Sequence, residues 1–357
     1  MAPGVVRSDY AVMMDRALAK PLIKKSSKSF LVIEEKLVRH PMAHQLLTLV
    51  DEVIPWQGGE VTKTRDSKAR LEDRLLSAGV DRQTLLLGCG GGALLDLVGF
   101  VAATLHRGLS LGLVPTTLLA MADACVGGKN GVDTPMGKNL IGTVYDPDWV
   151  LIEEGWLETL STDLIRQGMA EMIKHAILFA PERLPILANL APHPPSLEEI
   201  RASVAMKCQV IRRSRSEPLY RDLLNFGHTV AHAIESASGC QISHGDAVAF
   251  GLRCEGWIAQ ERGFITSSDQ EAYEETLDAW AYPAIEMEVE QALPYMCQDK
   301  KNQGGQATLA LPHRTNEGPV GHRSIAVSKE ELIAAWCLTA GLARSPSIVG
   351  TTFQRLL

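Results

Sequence analysis

Thr84-Leu-Leu-Leu-Gly-Cys-Gly-Gly-Gly-Ala-Leu-Leu-Asp96 decides the fold. An apolar strand runs into four glycines within five positions and then into a helical pattern over 93–104. Glycines there let the backbone approach a diphosphate, and the helix N-terminus adds free N–H groups and partial positive charge. The spacing is not GxGxxG, so this is not the standard dinucleotide fingerprint, and a glycine-rich turn without ligand is the other reading. The same strand character recurs at Ser29–Ile33, Val53–Trp56, Leu109–Val114 and Trp149–Ile152, with helical spacing over 69–78. Strands separated by helices indicate a mostly parallel sheet covered on both faces. Glu34 and Glu35 follow the first strand, where α/β nucleotide folds bind a ribose hydroxyl, although a solvated loop acid fits equally. From about Leu160 the pattern turns helical and stays so. The expectation is an α/β domain over 1–160 and a mainly helical domain over 161–357.

The composition suits two soluble domains. The chain has 357 residues, 46% hydrophobic and 22% charged, enough for ample cores. Its formal charge of −7 argues against a general nucleic-acid binder. Seven cysteines without a CxxC pair read as buried reduced thiols of a cytosolic protein. The start, MAPGVVRSDY, lacks the pattern of a signal peptide, and the most apolar stretch, Leu109–Val126, is broken by Pro115 and Asp123. The reading is a cytoplasmic protein with no membrane or nucleic-acid partner.

Three polar stretches carry chemistry. In 120–142, Lys129-Asn130 and Lys138-Asn139 sit among five glycines and suggest either two anion-binding loops or a solvated surface. In the helix over 167–180, Glu171, Lys174 and His175 share a face among Met, Ile and Leu. Arg221–Asp246 then reads as helix, loop and a second helix start, with His228, His232 and His244. Ten histidines in the chain put only about 0.5 in a 17-residue window, so three is an excess. Glu171 with His228 and His244 makes a His₂Glu set suited to a catalytic metal, but a lone helical His is more often a satisfied or surface residue than a ligand.

These motifs together resemble the 3-dehydroquinate synthase family, within the sugar phosphate cyclases. The similarity runs in register through Gly59–Lys63, Gly90–Asp96, Arg107-Gly108, Pro115–Thr117, Asp123, Gly127–Lys129, Gly137–Asn139, Gly168–Lys174, Lys207, Arg221–His228, His232, His244-Gly245 and Asp299–Lys301. The resemblance implies an NAD-binding first domain, a metal- and substrate-binding second domain, and an active site in the cleft between them. It implies a divalent metal, zinc or else cobalt, on Glu171, His228 and His244. It implies NAD held by Glu34, Glu60, Lys63, Gly91, Gly92, Asp96, Thr116, Thr117, Lys129, Lys138 and Thr159.

The implied substrate is the phosphorylated heptulosonate that enters the shikimate pathway. NAD is recycled through oxidation, phosphate elimination, reduction, ring opening and ring closure. The substrate's own phosphate can take the acidified proton, so no strong protein base is required. Lys129, Asn139, His232, one of Lys300 and Lys301, and Arg107 from a partner subunit of a homodimer would hold the phosphate. Arg221 and Lys207 would hold the carboxylate, and Asp123, Lys174 and Asn225 the ring hydroxyls. Three departures stand out: Arg212-Arg-Ser-Arg-Ser-Glu217 replaces an acidic run, Ala93-Leu-Leu replaces Val-Val-Gly, and Leu164 stands where a Glu is frequent. The rivals are another sugar phosphate cyclase, a metal-dependent polyol dehydrogenase, and a non-catalytic NAD-binding regulator.

Overall fold

Residues 5–7, 11–297, 307–315 and 318–341 are described in this computed structural model. The chain divides into two units, Met1–Gly168 with Pro194–Arg212 and Met169–His193 with Arg213–Leu357. In the first, β1 (Val5–Arg7), β2 (Ala11–Met13), α1 (Arg16–Lys25), β3 (Lys28–Glu34), α2 (Pro41–Leu47), β4 (Glu52–Trp56), α3 (Arg65–Ser77), β5 (Thr84–Gly90), α4 (Gly92–Thr104) and β6 (Ser110–Pro115) alternate. The hairpin β7 (Lys129–Thr134) and β8 (Gly137–Val144) and the strand β9 (Trp149–Leu151) follow. The seven-stranded sheet has the order β1-β2-β9-β6-β5-β3-β4, antiparallel only at β1–β2. Phe30–Ile33 and Leu85–Cys89 are fully shielded, as unbroken apolar runs must be in a parallel sheet covered on both faces. Pro55 interrupts β4, and β4 is an edge strand, where a missing N–H costs least. Trp149–Leu151, last in this half by sequence, lies inside the sheet between β2 and β6. There Gly112 leaves room for the Trp149 indole, which a Cβ would approach to 2.5 Å.

The stretch expected as two loops forms the antiparallel hairpin β7–β8. Asn130 is buried, and its side-chain amide donates to Gly128 O at 2.8 Å and Tyr145 O at 3.0 Å. It packs on Gly99 of α4, where a Cβ would fall 1.8 Å from its oxygen. Asn130 therefore pins the hairpin to the sheet domain and is not a turn residue. Departing Leu94 and Leu95 pack against Gly90 and Gly88, so that change is a repacking inside the fold. Leu164 is 37% exposed.

Helices dominate the second unit. After α5 (Thr162–Phe179) come α6 (Leu184–Leu190), then α7 (Leu197–Arg213), which belongs to the first unit as far as Arg212, then α8 (His228–Ala237), α9 (His244–Glu261), α10 (Ser267–Ala279) and α11 (Val289–Cys297). The division between units falls within α5 and near the end of α7. The hairpin β10 (Ala307–Thr315) and β11 (Gly318–Val327) and the helix α12 (Lys329–Thr339) complete it. Ser243, Thr266 and Ser328 cap α9, α10 and α12 with their hydroxyls, the last two as full capping boxes. The α9 helix is buried through most of its length, from Gly245 to Ala259. Cys89, Cys125, Cys208 and Cys254 are buried thiols as expected, but Cys240 is exposed on the turn after α8, where its backbone is left-handed (φ 62°). Among the described residues, no helix is long and apolar enough to cross a membrane.

Candidate active site

In the second unit α5, α8 and α9 bring Glu171, His228 and His244 together. His228 opens α8 behind Gly227, whose left-handed backbone (φ 78°) turns the chain into the helix, and His244 opens α9 behind its Ser243 cap. Glu171 Oε1 lies 3.2 Å from His228 Nε2 and 3.4 Å from His244 Nε2. Two tetrahedral ligands each 2.0–2.2 Å from a zinc-sized ion stand roughly 3.3–3.6 Å apart, so the donor set fits such an ion. Each ring's other nitrogen is occupied: His228 Nδ1 meets Phe226 O at 3.1 Å and His244 Nδ1 meets Glu235 Oε2 at 3.2 Å. That leaves both Nε2 atoms facing Glu171.

Burial opposes charge on Glu171, but the Lys174 ammonium and the two imidazoles hold its carboxyl well below the usual range. Lys174 is itself buried; it pairs with Glu171 and donates to Leu224 O at 2.9 Å. Burial, helped by the Lys174 charge, lowers His228, which favours the neutral ligand form. Burial opposes charge on His244 too, but Glu171 and Glu235 raise it to about 10. An arriving cation would displace that proton. His232, one turn along α8, is exposed, its ring centroid 5.4 Å from that of His228 and 6.4 Å from that of His244.

Arg221 and Asn225 lie on the 3₁₀ turn Pro218–Asn225 that leads into α8, both half-buried. The altered segment before it folds back onto the same turn: Arg213 donates to Glu217 at 3.1 Å and lies 4.1 Å above the Tyr220 ring.

The first unit gathers a second set. Gly91 starts α4 with no side-chain cap, and its N–H donates to Glu34 Oε1 at 2.7 Å. Glu34 is a buried strand-end residue that occupies space left by Gly58 and Gly90, so a freely solvated loop acid is excluded. Buried Lys63 bridges Asp96 at 2.5 Å and Asn139 at 2.6 Å. Burial pushes Asp96 up to about 6 although Lys63 pulls it down. Asp123 sits on a single turn of π-helix, Ala120–Ala124, and pairs with buried Lys207 of α7. Such turns frequently mark functional positions.

Thr116 N–H donates to Gly90 O at 3.0 Å, while the Thr117 hydroxyl accepts from Ala120 N–H at 3.2 Å. Glu60, Lys129 and Thr159 are exposed, Gly92 and Lys138 half-buried, and Thr159 meets His40 at 3.4 Å. Arg107 is exposed with a left-handed backbone (φ 67°). Lys300 and Lys301 lie outside the described residues.

Two buried carboxylates escaped sequence reasoning. Glu235 orients His244, and its signal was available, because it follows His228 by seven residues on the same helical face. Glu255 has no such signal, although it contacts the backbone beside His228.

Comparisons with known proteins show what the chain is similar to. The family profile for 3-dehydroquinate synthase N-terminal domains matches residues 53–167, and the one for C-terminal domains matches 168–302. A 3-dehydroquinate synthase of Corynebacterium jeikeium is 36% identical over 79% of this chain and 78% of its own. The pentafunctional AROM polypeptide of Candida tropicalis is 36% identical over 84% of this chain but only 21% of its own. The chain thus spans about a fifth of the length of such multifunctional relatives. Among solved structures, 2-epi-5-epi-valiolone synthase from Streptomyces hygroscopicus, with NAD+ and Zn2+ bound, superposes with a TM-score of 0.83 at 25% identity over 96% of this chain and all of its own. A 2-deoxy-scyllo-inosose synthase gives 0.79 at 22% identity over 91% of this chain and 95% of its own, a likeness of fold.

Proposed function

The chain belongs to the 3-dehydroquinate synthase family, and on that premise we propose that it converts 3-deoxy-D-arabino-heptulosonate 7-phosphate to 3-dehydroquinate and phosphate. The observation that carries the reading is the convergence of Glu171, His228 and His244, with spacings that suit one divalent ion. Glu171, His228 and His244 would hold the ion, which would supply Lewis-acid polarisation of the substrate hydroxyl, and bound NAD would supply a reversible hydride acceptor. Zinc is the ion favoured by the His₂Glu donor set.

The chain's own residues bind and orient. Arg221, by its planar fork, and Lys207 hold the substrate carboxylate, while Lys129, Asn139 and His232 neutralise its phosphate. Holding that phosphate near the carbon acid lets it accept the proton intramolecularly, which is why no dedicated base is needed. Asp123, Lys174 and Asn225 bind ring hydroxyls, and Lys174 also keeps Glu171 ionised. Glu34, Glu60, Lys63, Asp96, Thr116, Thr117, Lys138 and Thr159 surround NAD, whose diphosphate would face the N-terminus of α4 at Gly91 and Gly92, where the Gly91 N–H already donates to Glu34. The same reading includes a cytoplasmic homodimer in which Arg107 of a second copy meets the phosphate.

The test is phosphate release from the heptulosonate phosphate with NAD in catalytic amount, abolished by a chelator and restored by Zn2+ or Co2+. Stoichiometric NADH accumulation would instead indicate a polyol dehydrogenase, and release from other sugar phosphates alone would indicate a different cyclase.

A further inference from the structure

Glu255 is 0% exposed on α9, a carboxylate in the core of the second unit. Its Oε2 accepts from Gly227 N–H at 2.7 Å and its Oε1 from Val230 N–H at 3.2 Å. Those amides belong to the start of α8, which has no side-chain cap of its own. One turn earlier on the same face of α9, Gly251 allows the turn to press close, since a Cβ there would fall 2.0 Å from Gly227 O. His228 follows Gly227 directly, and His244 begins α9 itself. Both imidazoles are therefore referenced to a single helix: His244 by its place in α9, and His228 through the cradle made by Gly251 and Glu255.

We propose that Glu255 is a positioning residue for the metal centre, clamping the Gly227 turn so that His228 is held in register with His244. The inference rests on the reading of Glu171, His228 and His244 as metal ligands. A cap that merely stabilised α8 would affect melting but leave the ligand geometry alone. Removing a group that orients a ligand typically costs roughly 10–100-fold in metal affinity.

The experiment is titration of the metal-stripped full chain with Co2+, following the dissociation constant and the d–d absorption band. Glu255→Ala should weaken Co2+ binding by about 10–100-fold and alter the band. Glu255→Gln, which keeps an acceptor for Gly227 N–H, should recover most of both. Leu277→Ala, a core truncation on α10 in the same unit, controls for loss of stability alone. Wild-type affinity and spectrum in Glu255→Ala, or an equal loss in Leu277→Ala at matched melting temperature, would overturn the proposal. If Glu255→Ala does not fold, Glu255→Asp, one methylene too short to reach both amides, must show the weakened binding; unchanged binding there overturns it as well. Failure of the wild-type chain to bind Co2+ would remove the ligand assignment itself, a different result from equal binding by wild type and variant.

Discussion

His244 and Arg221 lie in one stretch of chain, yet they answer to different partners. His244 faces Glu171 through Nε2 and Glu235 through Nδ1, a relay that fixes the ring for a cation. Arg221 sits on the turn before α8 and offers a planar fork suited to a carboxylate. Substitution should separate the two. His244→Ala should lower metal content on elemental analysis, with phosphate release falling in proportion. Arg221→Lys keeps the charge but loses the paired donors, so KM for the heptulosonate phosphate should rise at least about tenfold, the loss of a charge-assisted hydrogen bond of roughly 1.5–3 kcal/mol. Metal content of Arg221→Lys should stay at the wild-type level. Equal losses of metal in both variants would contradict the division of roles.

Among the elements, the hairpin β7–β8 shows what a sequence can and cannot disclose. Strands β3 and β5 were legible because a parallel strand covered on both faces must be a continuous apolar run, and α4 because glycines end β5 and helical spacing follows. The hairpin read as loops because Gly, Asn and Lys are turn-formers by local propensity. Its glycines instead permit close strand approach, as where Gly131 faces Gly142, and Asn130 satisfies two carbonyls buried by tertiary packing. Neither fact is local. The site divides the same way: Glu235 follows His228 at helical spacing, the His₂Glu set joins three helices and was legible only through the family resemblance, and Glu255 reads as an ordinary helix acid until α9 packs on the Gly227 turn. Asn130→Ala tests the hairpin. It leaves the carbonyls of Gly128 and Tyr145 without that donor, at a cost of ~1–3 kcal/mol in stability. It should also weaken NAD binding several-fold by calorimetry, because Lys138 and Asn139 ride on β8. Co2+ binding should be unchanged, since the proposed ligands Glu171, His228 and His244 belong to the other unit. A parallel loss of Co2+ affinity would mean that the hairpin supports more than the nucleotide side.

For the whole molecule, carboxyls buried in the fold are one route by which pH acts on stability. Asp96 in the first unit is raised to about 6 and Glu255 in the second to about 8, burial being the largest cause in each. The amides of Gly227, Thr229 and Val230 pull Glu255 down without cancelling that burial. For an acid raised in the fold, the native state holds its proton at pH values where the unfolded chain has released it. The stabilising contribution is therefore complete below the ordinary carboxyl range and is lost as pH rises through the folded pKa. Glu171 has the opposite sign, but in an interval starting near pH 5 it is ionised in both states and contributes no slope. Glu255→Gln removes this raised group while leaving the histidines of the site in place. Between about pH 5 and 8 the wild-type melting temperature should consequently fall relative to that of Glu255→Gln, the gap changing steadily across the interval. Asp96→Asn should remove a similar slope that ends near pH 6. Thermal scans of the metal-stripped chain in matched buffers measure both. A wild-type curve that runs parallel to Glu255→Gln from pH 5 to 8 would mean that the carboxyl is ionised in the core throughout, held so by the α8 amides.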